Sequence, residues 1–192
     1  MRFVDPAGFR ADRRDFRRYC VAPMRIRPFA LAVLLALFLA PAGGPADAEE
    51  RIVFKEDFAP GTIVVKTGER RLYLVLGNGK ALRYVVGVGK QGRQWSGTSR
   101  IVGKYLKPAW IPPPDVKRDN PSIPDYIEGG AANNPMGAAA MVLAGGQYAI
   151  HGTNRPKSIG GFVSYGCIRM HNRDVVDLYQ RVSVGTTVMV VR

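Results

Sequence analysis

The sequence contains few of the residues that bind metals or form disulfides. Its 192 residues include two cysteines, Cys20 and Cys167, and two histidines, His151 and His171. No CxxC or HExxH pattern is present, so neither a metal ion nor an organic cofactor is predicted. The sequence also contains no internal repeat and no low-complexity tract. A chain of this length and composition predicts one domain with short appendages.

Acidic residues are scarce compared with basic ones. The chain has 15 Asp and Glu against 28 Lys and Arg, a formal net charge of +13 at pH 7. The basic residues are scattered along the sequence instead of forming a stripe, which argues against nucleic acid as a partner. An anionic wall polymer or a membrane surface is the partner that this charge favours, and solubility alone is the alternative explanation.

Long hydrophobic runs are also missing. The longest, Phe29–Ala40, has 12 residues, which is too short to span a bilayer comfortably. Arg25 and Arg27 precede it, and small residues follow it up to the sequence Ala-Asp-Ala that ends at Ala48. This order is typical of a secretory signal peptide. An uncleaved membrane anchor and a buried helix are the alternatives.

We therefore predict a leader over residues 1–48 and an exported domain over residues 49–192. Met24 lies just before the signal pattern and is a candidate for the true start. Cleavage after residue 48 would remove Cys20 and leave Cys167 as the lone cysteine of the domain. In an oxidising compartment, structural cysteines occur in pairs, so a lone one indicates a reactive thiol.

Most of the domain shows strand patterns, joined by turns that include Asn78-Gly79. The predicted strands are Thr62–Lys66, Arg71–Leu76, Ala81–Val88 with Leu82, Tyr84 and Val86 on one face, Tyr148–Ile150 and Thr186–Val191. Residues 110–136, which we call the flap, are predicted to form one long loop, and a loop of this length is usually functional or disordered. The six prolines of the flap exclude a continuous helix or a central strand.

One short helix is predicted after Cys167. Asn172 is its expected N-cap, and Val175, Leu178 and Val182 recur at helical spacing on one face. The overall prediction is a mainly β domain with a single short helix.

Two short segments near the end of the chain carry the chemistry, Ile150–Asn154 and Ser164–Met170. They contain His151 and Cys167, surrounded by glycines that permit sharp turns and close approach to a substrate. A thiol is a good nucleophile only as the thiolate, and a nearby histidine can remove its proton. A buried cysteine and an unrelated histidine would be the alternative if the pair stood alone.

These segments resemble the signature of the L,D-transpeptidase catalytic domain family (YkuD type), in which a histidine precedes a Ser/Thr-His-Gly-Cys element. Twelve residues separate His151 from Ser164, a spacing similar to that of Gram-negative members. The resemblance covers residues 52–191. Further segments that are similar to the family, in the expected order, are Arg71–Val75, Tyr84–Lys90, Pro108–Pro113 and Asn134–Gly137.

The resemblance implies a mainly β fold, a β-sandwich or mixed sheet, with a long flap and one short helix after the cysteine. It implies Cys167 as nucleophile and His151 as general base, with the backbone carbonyl of Gly152 orienting the histidine ring. Backbone N–H groups of Gly166 and Cys167 are the candidate donors to a developing oxyanion.

Three further residues are candidates for substrate binding. Arg169 could bind a substrate carboxylate in a bidentate manner, or be solvated or internally paired. Ser164 could orient the cysteine loop or form only a local bond to the backbone. Tyr165 stands where the family usually has histidine; it keeps a hydroxyl but cannot act as a base near neutral pH.

By resemblance, the thiolate would attack the carbonyl of diaminopimelate in a peptidoglycan tetrapeptide stem. The terminal D-alanine would leave, and an amine would resolve the thioester. The acceptor stays open: another stem, an outer-membrane lipoprotein, the N-terminus of a β-barrel protein, or water. Hydrolysis of the same bonds and non-catalytic wall binding are the alternative functions. The expected protein is a periplasmic monomer that binds no nucleic acid.

Overall fold

The structure is a computed structural model that describes residues 50–145 and 147–192. The predicted leader, with its apolar run, cleavage site and Cys20, lies outside these residues. In the part of the chain that the structure describes, no helix has the length and apolar character needed to cross a membrane.

The described residues form eleven strands, two α-helices and one 3₁₀ turn. The strands are β1 (Glu50–Val53), β2 (Ile63–Lys66), β3 (Arg71–Gly77), β4 (Lys80–Val85), β5 (Val88–Gly89), β6 (Gly97–Leu106), β7 (Ala139–Leu143), β8 (Ala149–His151), β9 (Phe162–Ser164), β10 (Ile168–Arg169) and β11 (Thr187–Val191). The helices are α1 (Pro114–Asp119) and α2 (Asn172–Arg181), and the 3₁₀ turn is Pro156–Ser158. Strand content therefore dominates, as the sequence predicts.

Nine of the described strands form one mixed sheet in the order β1-β4-β3-β2-β11-β6-β7-β8-β10, and β5 pairs with β9. Strand β11 is parallel to β2 and antiparallel to β6. Strand β6 joins the two halves of the sheet, because its first residues pair with β11 and the rest pair with β7. The pairing with β7 shifts register between Ile101 and Gly103, an irregularity of the kind that bends a strand.

One apolar core unites the two halves of the sheet and α2. Leu82 and Tyr84 of β4, Met141 of β7 and Leu178 of α2 all belong to it and are fully buried. Burying one such side chain contributes about 1.5–3 kcal/mol relative to leaving it exposed. This rigid base supports the short strands β8 and β10, which carry the candidate site.

The structure confirms the predicted fold class, mainly β with a mixed sheet. The predicted hairpin and the final strand are present, and the turn at Asn78 has the positive φ of 52° expected there. Leu82, Tyr84 and Val86 are buried together, as predicted. The predicted strand Ala81–Val88 is shorter in the structure: β4 ends at Val85, and Val86 lies just beyond it.

Three predictions about helices and strands were incomplete or wrong. Strands β1, β6 and β7 were not predicted, because their sequences lack a clear alternation of apolar and polar residues. The flap contains a second helix, α1, since Pro114 occupies its first turn, where no N–H partner is needed. The N-cap of α2 is His171, not Asn172.

Candidate active site

The pairing of two short parallel strands brings the histidine and cysteine segments together. Ile168 of β10 lies opposite Ile150 of β8, and Arg169 lies opposite His151. Cys167 immediately precedes β10, at the end of the pair where β8 begins, whereas His151 ends β8, so the register sets the two residues two positions apart along neighbouring strands. Both side chains line one open cavity of about 1020 Å³, which is bordered on another side by the flap.

The histidine ring is fixed by the residue that follows it. His151 is 2% exposed, and its Nδ1 lies 2.7 Å from the backbone carbonyl oxygen of Gly152. A carbonyl oxygen can only accept, so Nδ1 carries the proton and Nε2 keeps its lone pair. This is the contact that the sequence predicted for Gly152; its role in catalysis stays a prediction.

The turn after His151 depends on an asparagine for which the sequence predicts another role. Asn172 Oδ1 accepts hydrogen bonds from the backbone N–H groups of Ala138 at 3.1 Å and Thr153 at 3.0 Å. A Cβ on Gly152 would lie 2.3 Å from that same oxygen, so only glycine fits. Asn172 therefore braces the Gly152 carbonyl that holds the histidine. Its position beside a predicted helix start favoured a capping role and concealed this one.

Burial keeps both candidate catalytic groups uncharged at neutral pH. Burial lowers the pKa of His151 to about 3, and the nearby Arg169 guanidinium adds to this effect. Burial also raises the pKa of the Cys167 thiol, although the Ala149 backbone and Arg169 favour the thiolate. Cys167 is half-buried and forms no disulfide with the described residues. The resting pair is therefore a neutral thiol beside a neutral imidazole.

The cysteine loop, residues 164–167, is held in place by the Ser164 hydroxyl. This hydroxyl donates to the Cys167 carbonyl oxygen at 2.6 Å and accepts from the Gly166 N–H at 3.0 Å. Ser164 is 1% exposed and makes both of these bonds within the loop, and its role in substrate binding stays a prediction. The Gly166 N–H is also directed into the loop, which differs from the prediction that it faces an oxyanion.

Two aromatic residues pack against the same loop. The Trp95 indole Nε1–H donates to the Gly166 carbonyl oxygen at 2.9 Å. The Trp95 and Tyr148 rings are stacked, with centroids 5.1 Å apart and planes 7° from parallel. Gly166 has φ of +122°, and a Cβ there would lie 2.2 Å from a carbon of Tyr148. No local pattern in the sequence distinguishes this role of Trp95 from ordinary core packing.

Tyr165 connects the cysteine loop to the flap. Its hydroxyl donates to Asp119 Oδ2, at the end of α1, at 2.7 Å. The Lys90 ammonium lies 4.0 Å from the centre of the Tyr165 ring and 3.8 Å from Asp119 Oδ2. A second ion pair to α1, Arg93 to Asp115 at 3.0 Å, comes from the segment between β5 and β6. Tyrosine at this position therefore binds the flap helix, a contact that sequence comparison alone does not suggest.

The cavity is electropositive. Its charged lining residues are Arg93, Arg118, Arg155, Arg169 and Asp115, whereas His151 and Cys167 are neutral at rest. Arg169 Nε is buried and has no hydrogen-bond partner among the described residues. A buried guanidinium beside open space favours a carboxylate ligand. No group of three or more His, Cys, Asp and Glu side chains suited to a metal ion occurs in residues 50–145 and 147–192.

The mixed sheet and the paired His151 and Cys167 define a mainly β protein with a cysteine–histidine site. The family model of the L,D-transpeptidase catalytic domain, YkuD, matches residues 60–190. That match covers more than half of the sequence, and the chain belongs to this family. The family predicted from the sequence is thus confirmed.

Individual relatives agree with the family. The chain is 34% identical over 164 residues to the Escherichia coli protein named "Probable L,D-transpeptidase ErfK/SrfK", an alignment that covers 81% of this chain and 51% of that one. The chain thus spans about half the length of the curated relatives it matches.

Solved structures show the same fold. An L,D-transpeptidase from Mycobacterium smegmatis superimposes with a TM-score of 0.55 at 18% identity, covering 68% of this chain and 58% of that one. A Brucella melitensis protein named as a probable carnitine operon oxidoreductase is 39% identical, with a TM-score of 0.51, covering 74% of this chain and 92% of that one. The name of the Brucella protein describes a different activity for that protein; the family of this chain rests on the match over residues 60–190.

Proposed function

We propose that this protein is an exported L,D-transpeptidase that acts on peptidoglycan stem peptides through a thioester on Cys167. The observation that carries the proposal is the shared cavity: the thiol and a histidine whose Nδ1 is held by the Gly152 carbonyl line the same electropositive space. Stem peptides carry free carboxylates, which suit a cavity lined by four arginines and one aspartate.

In the proposed reaction, His151 Nε2 takes the thiol proton as the sulfur attacks the carbonyl carbon of diaminopimelate. The amide C–N bond then breaks, and the imidazolium returns the proton to the departing D-alanine amine. The product is a thioester on Cys167. An acceptor amine attacks that thioester, and the thiol leaves with the proton that the amine loses.

The resting neutrality of the pair has a consequence for this mechanism. A thiol with a raised pKa is not present as a thiolate before the substrate binds. Proton transfer to His151 therefore accompanies the attack. The positive charge of Arg169 stabilises the developing thiolate, because it lowers the pKa of Cys167. Arg169 is also the proposed ligand of a substrate carboxylate.

Incubation of the purified protein with peptidoglycan, followed by digestion and mass spectrometry, tests the proposal. We expect stems cross-linked through diaminopimelate and released D-alanine with wild type, and neither with Cys167→Ser. Tripeptide stems without cross-links would instead identify a hydrolase. Unchanged stems with wild type would refute the proposed activity.

Export is the second part of the proposal. The charged, apolar and small-residue order of residues 25–48 supports it, and a periplasmic location follows for a Gram-negative cell. N-terminal sequencing of the native protein should give a chain that begins near Glu49. An intact chain recovered from the cytoplasm would contradict export and leave the acyl transfer chemistry to be judged separately.

A further inference from the structure

We propose that Trp95 is a positioning residue that directs the Cys167 backbone N–H toward the reacting carbonyl. The inference rests on the proposed acyl transfer, in which the carbonyl oxygen of the substrate becomes negatively charged. Trp95 does not itself contact the substrate. It acts through one peptide group, the unit that joins Gly166 to Cys167.

Three backbone groups next to the Cys167 N–H already have hydrogen-bond partners. The Gly166 N–H and the Cys167 carbonyl are both bonded to the Ser164 hydroxyl, and the Gly166 carbonyl is bonded to Trp95. The Cys167 N–H donates to no acceptor within the described residues. It is therefore the backbone donor nearest to the thiol that is available for an oxyanion.

The direction of that donor is set by the opposite end of its own peptide group. The described residues contain no cis peptide bond, and in a trans peptide the C=O and N–H point in opposite directions. The indole of Trp95 fixes the Gly166 carbonyl on one side of the loop. The Cys167 N–H must then point to the other side.

That other side is the cavity. Cys167 is among the residues that line the cavity, whereas Trp95 and Gly166 are not. The indole itself is held by its stack on Tyr148, and glycine at position 166 is needed because the Tyr148 ring fills the space of a Cβ. Trp95, Tyr148 and Gly166 thus form one unit that holds the peptide in a single orientation before substrate arrives.

The test compares two reactions of the same thiol. Acylation by the carbapenem imipenem forms an oxyanion as the thiol adds to the lactam carbonyl, whereas alkylation by iodoacetamide displaces iodide and forms none. Trp95→Phe keeps an aromatic ring against Tyr148 and removes the N–H donor. We expect imipenem acylation to slow about 10- to 100-fold, since loss of a complete oxyanion donor costs about 10²–10³ and a misdirected donor loses part of that. Iodoacetamide alkylation should stay within about twofold.

A matched control is available in the same chain. Trp110 is buried, and its indole N–H has no partner among the described residues. Trp110→Phe makes the same chemical change without removing a hydrogen bond, so the ratio of the two rates should stay at the wild-type value. A second replacement, Trp95→benzothienylalanine, preserves the two-ring shape and replaces only the N–H; it covers the case in which Trp95→Phe does not fold.

Three results would overturn the inference. Equal acylation by wild type and both Trp95 variants would show that the indole N–H does not matter. A parallel loss of acylation and alkylation would show that Trp95 only maintains access to the thiol. An unchanged amide resonance of Cys167 in selectively ¹⁵N-cysteine-labelled Trp95→Phe would show that the peptide orientation does not depend on the indole. Absence of imipenem acylation in wild type itself would instead refute the proposed function, and this inference with it.

Discussion

The buried histidine should make the protein less stable in mild acid, and this effect can be isolated. His151 has its pKa lowered from an ordinary value of 6.5 to about 3 by burial and by the nearby Arg169. Between these two pH values the imidazole of His151 is protonated in the unfolded chain but neutral in the folded chain. The free energy of unfolding therefore falls as the pH falls. The slope approaches about 1.4 kcal/mol per pH unit.

From about pH 6.5 to about pH 4.5, the loss due to His151 alone is about 2–3 kcal/mol. That is a large part of a typical domain stability of about 5–15 kcal/mol. Urea unfolding of wild type and of His151→Asn, each at about pH 7 and about pH 4.5, measures it. The asparagine keeps a donor near the Gly152 carbonyl and removes the titrating group. Other titrating groups, such as Asp174 and Glu69, are common to both proteins and cancel in the comparison.

We expect the drop in unfolding free energy between the two pH values to be about 2–3 kcal/mol smaller in His151→Asn than in wild type. His171→Asn, which removes the other histidine of the chain from the start of α2, is the control for a general effect of losing a histidine. Parallel pH dependence in wild type and His151→Asn would refute the reasoning, because the imidazole would then not be buried in its neutral form.

Three further predictions concern single residues. A carbapenem should add once to wild type and not to Cys167→Ser in intact-mass analysis, and His151→Ala should slow the addition by about 10²- to 10⁴-fold; equal labelling of wild type and Cys167→Ser would contradict the assignment. Tyr165→Phe and Asp119→Ala should each lower turnover by no more than about tenfold and leave carbapenem addition nearly intact, because both break only the contact with the flap; loss of addition as severe as in His151→Ala would place Tyr165 in the proton-transfer machinery. Lys104→Met should destabilise the fold by about 1–2 kcal/mol in urea unfolding, since the ammonium donates to the Tyr179 and Val182 carbonyls at the end of α2; the exposed substitution Lys80→Met should have little effect.

Sequence reasoning succeeded where local patterns are strong. The hairpin of β2 and β3, helix α2 and the final strand all have clear periodicity, and the short segments around His151 and Cys167 carry a family signature. It failed at β6, whose ten residues include small and charged side chains. This strand is specified by its neighbours β11 and β7 on either side, and such long-range pairing leaves little trace in the local sequence.

The candidate site shows the same division. The sequence predicted the cysteine, the histidine and the glycine after it as site residues, because their chemistry and spacing are distinctive, and the structure places the thiol and the imidazole in one cavity. It did not predict the contacts that Trp95 and Asn172 make at the site. These residues lie 72 and 5 positions from Cys167 in the sequence. Both act through hydrogen bonds to backbone groups, and nothing in their own neighbourhood indicates which backbone groups those are.

The position of β11 has a consequence for how the chain folds. This strand follows every other strand in sequence, yet it fills the gap between β2 and β6, and Thr67 at the end of β2 donates to the Val191 carbonyl across 124 positions. The two halves of the sheet cannot join until that late segment is available, so the sheet closes through contacts of high sequence separation, which slow folding. Until then β2 and β6 each present an unpaired edge that could accept a strand from another molecule. A chain interrupted before residue 187 would therefore be expected to aggregate, even though every residue of the cysteine–histidine pair had already been made.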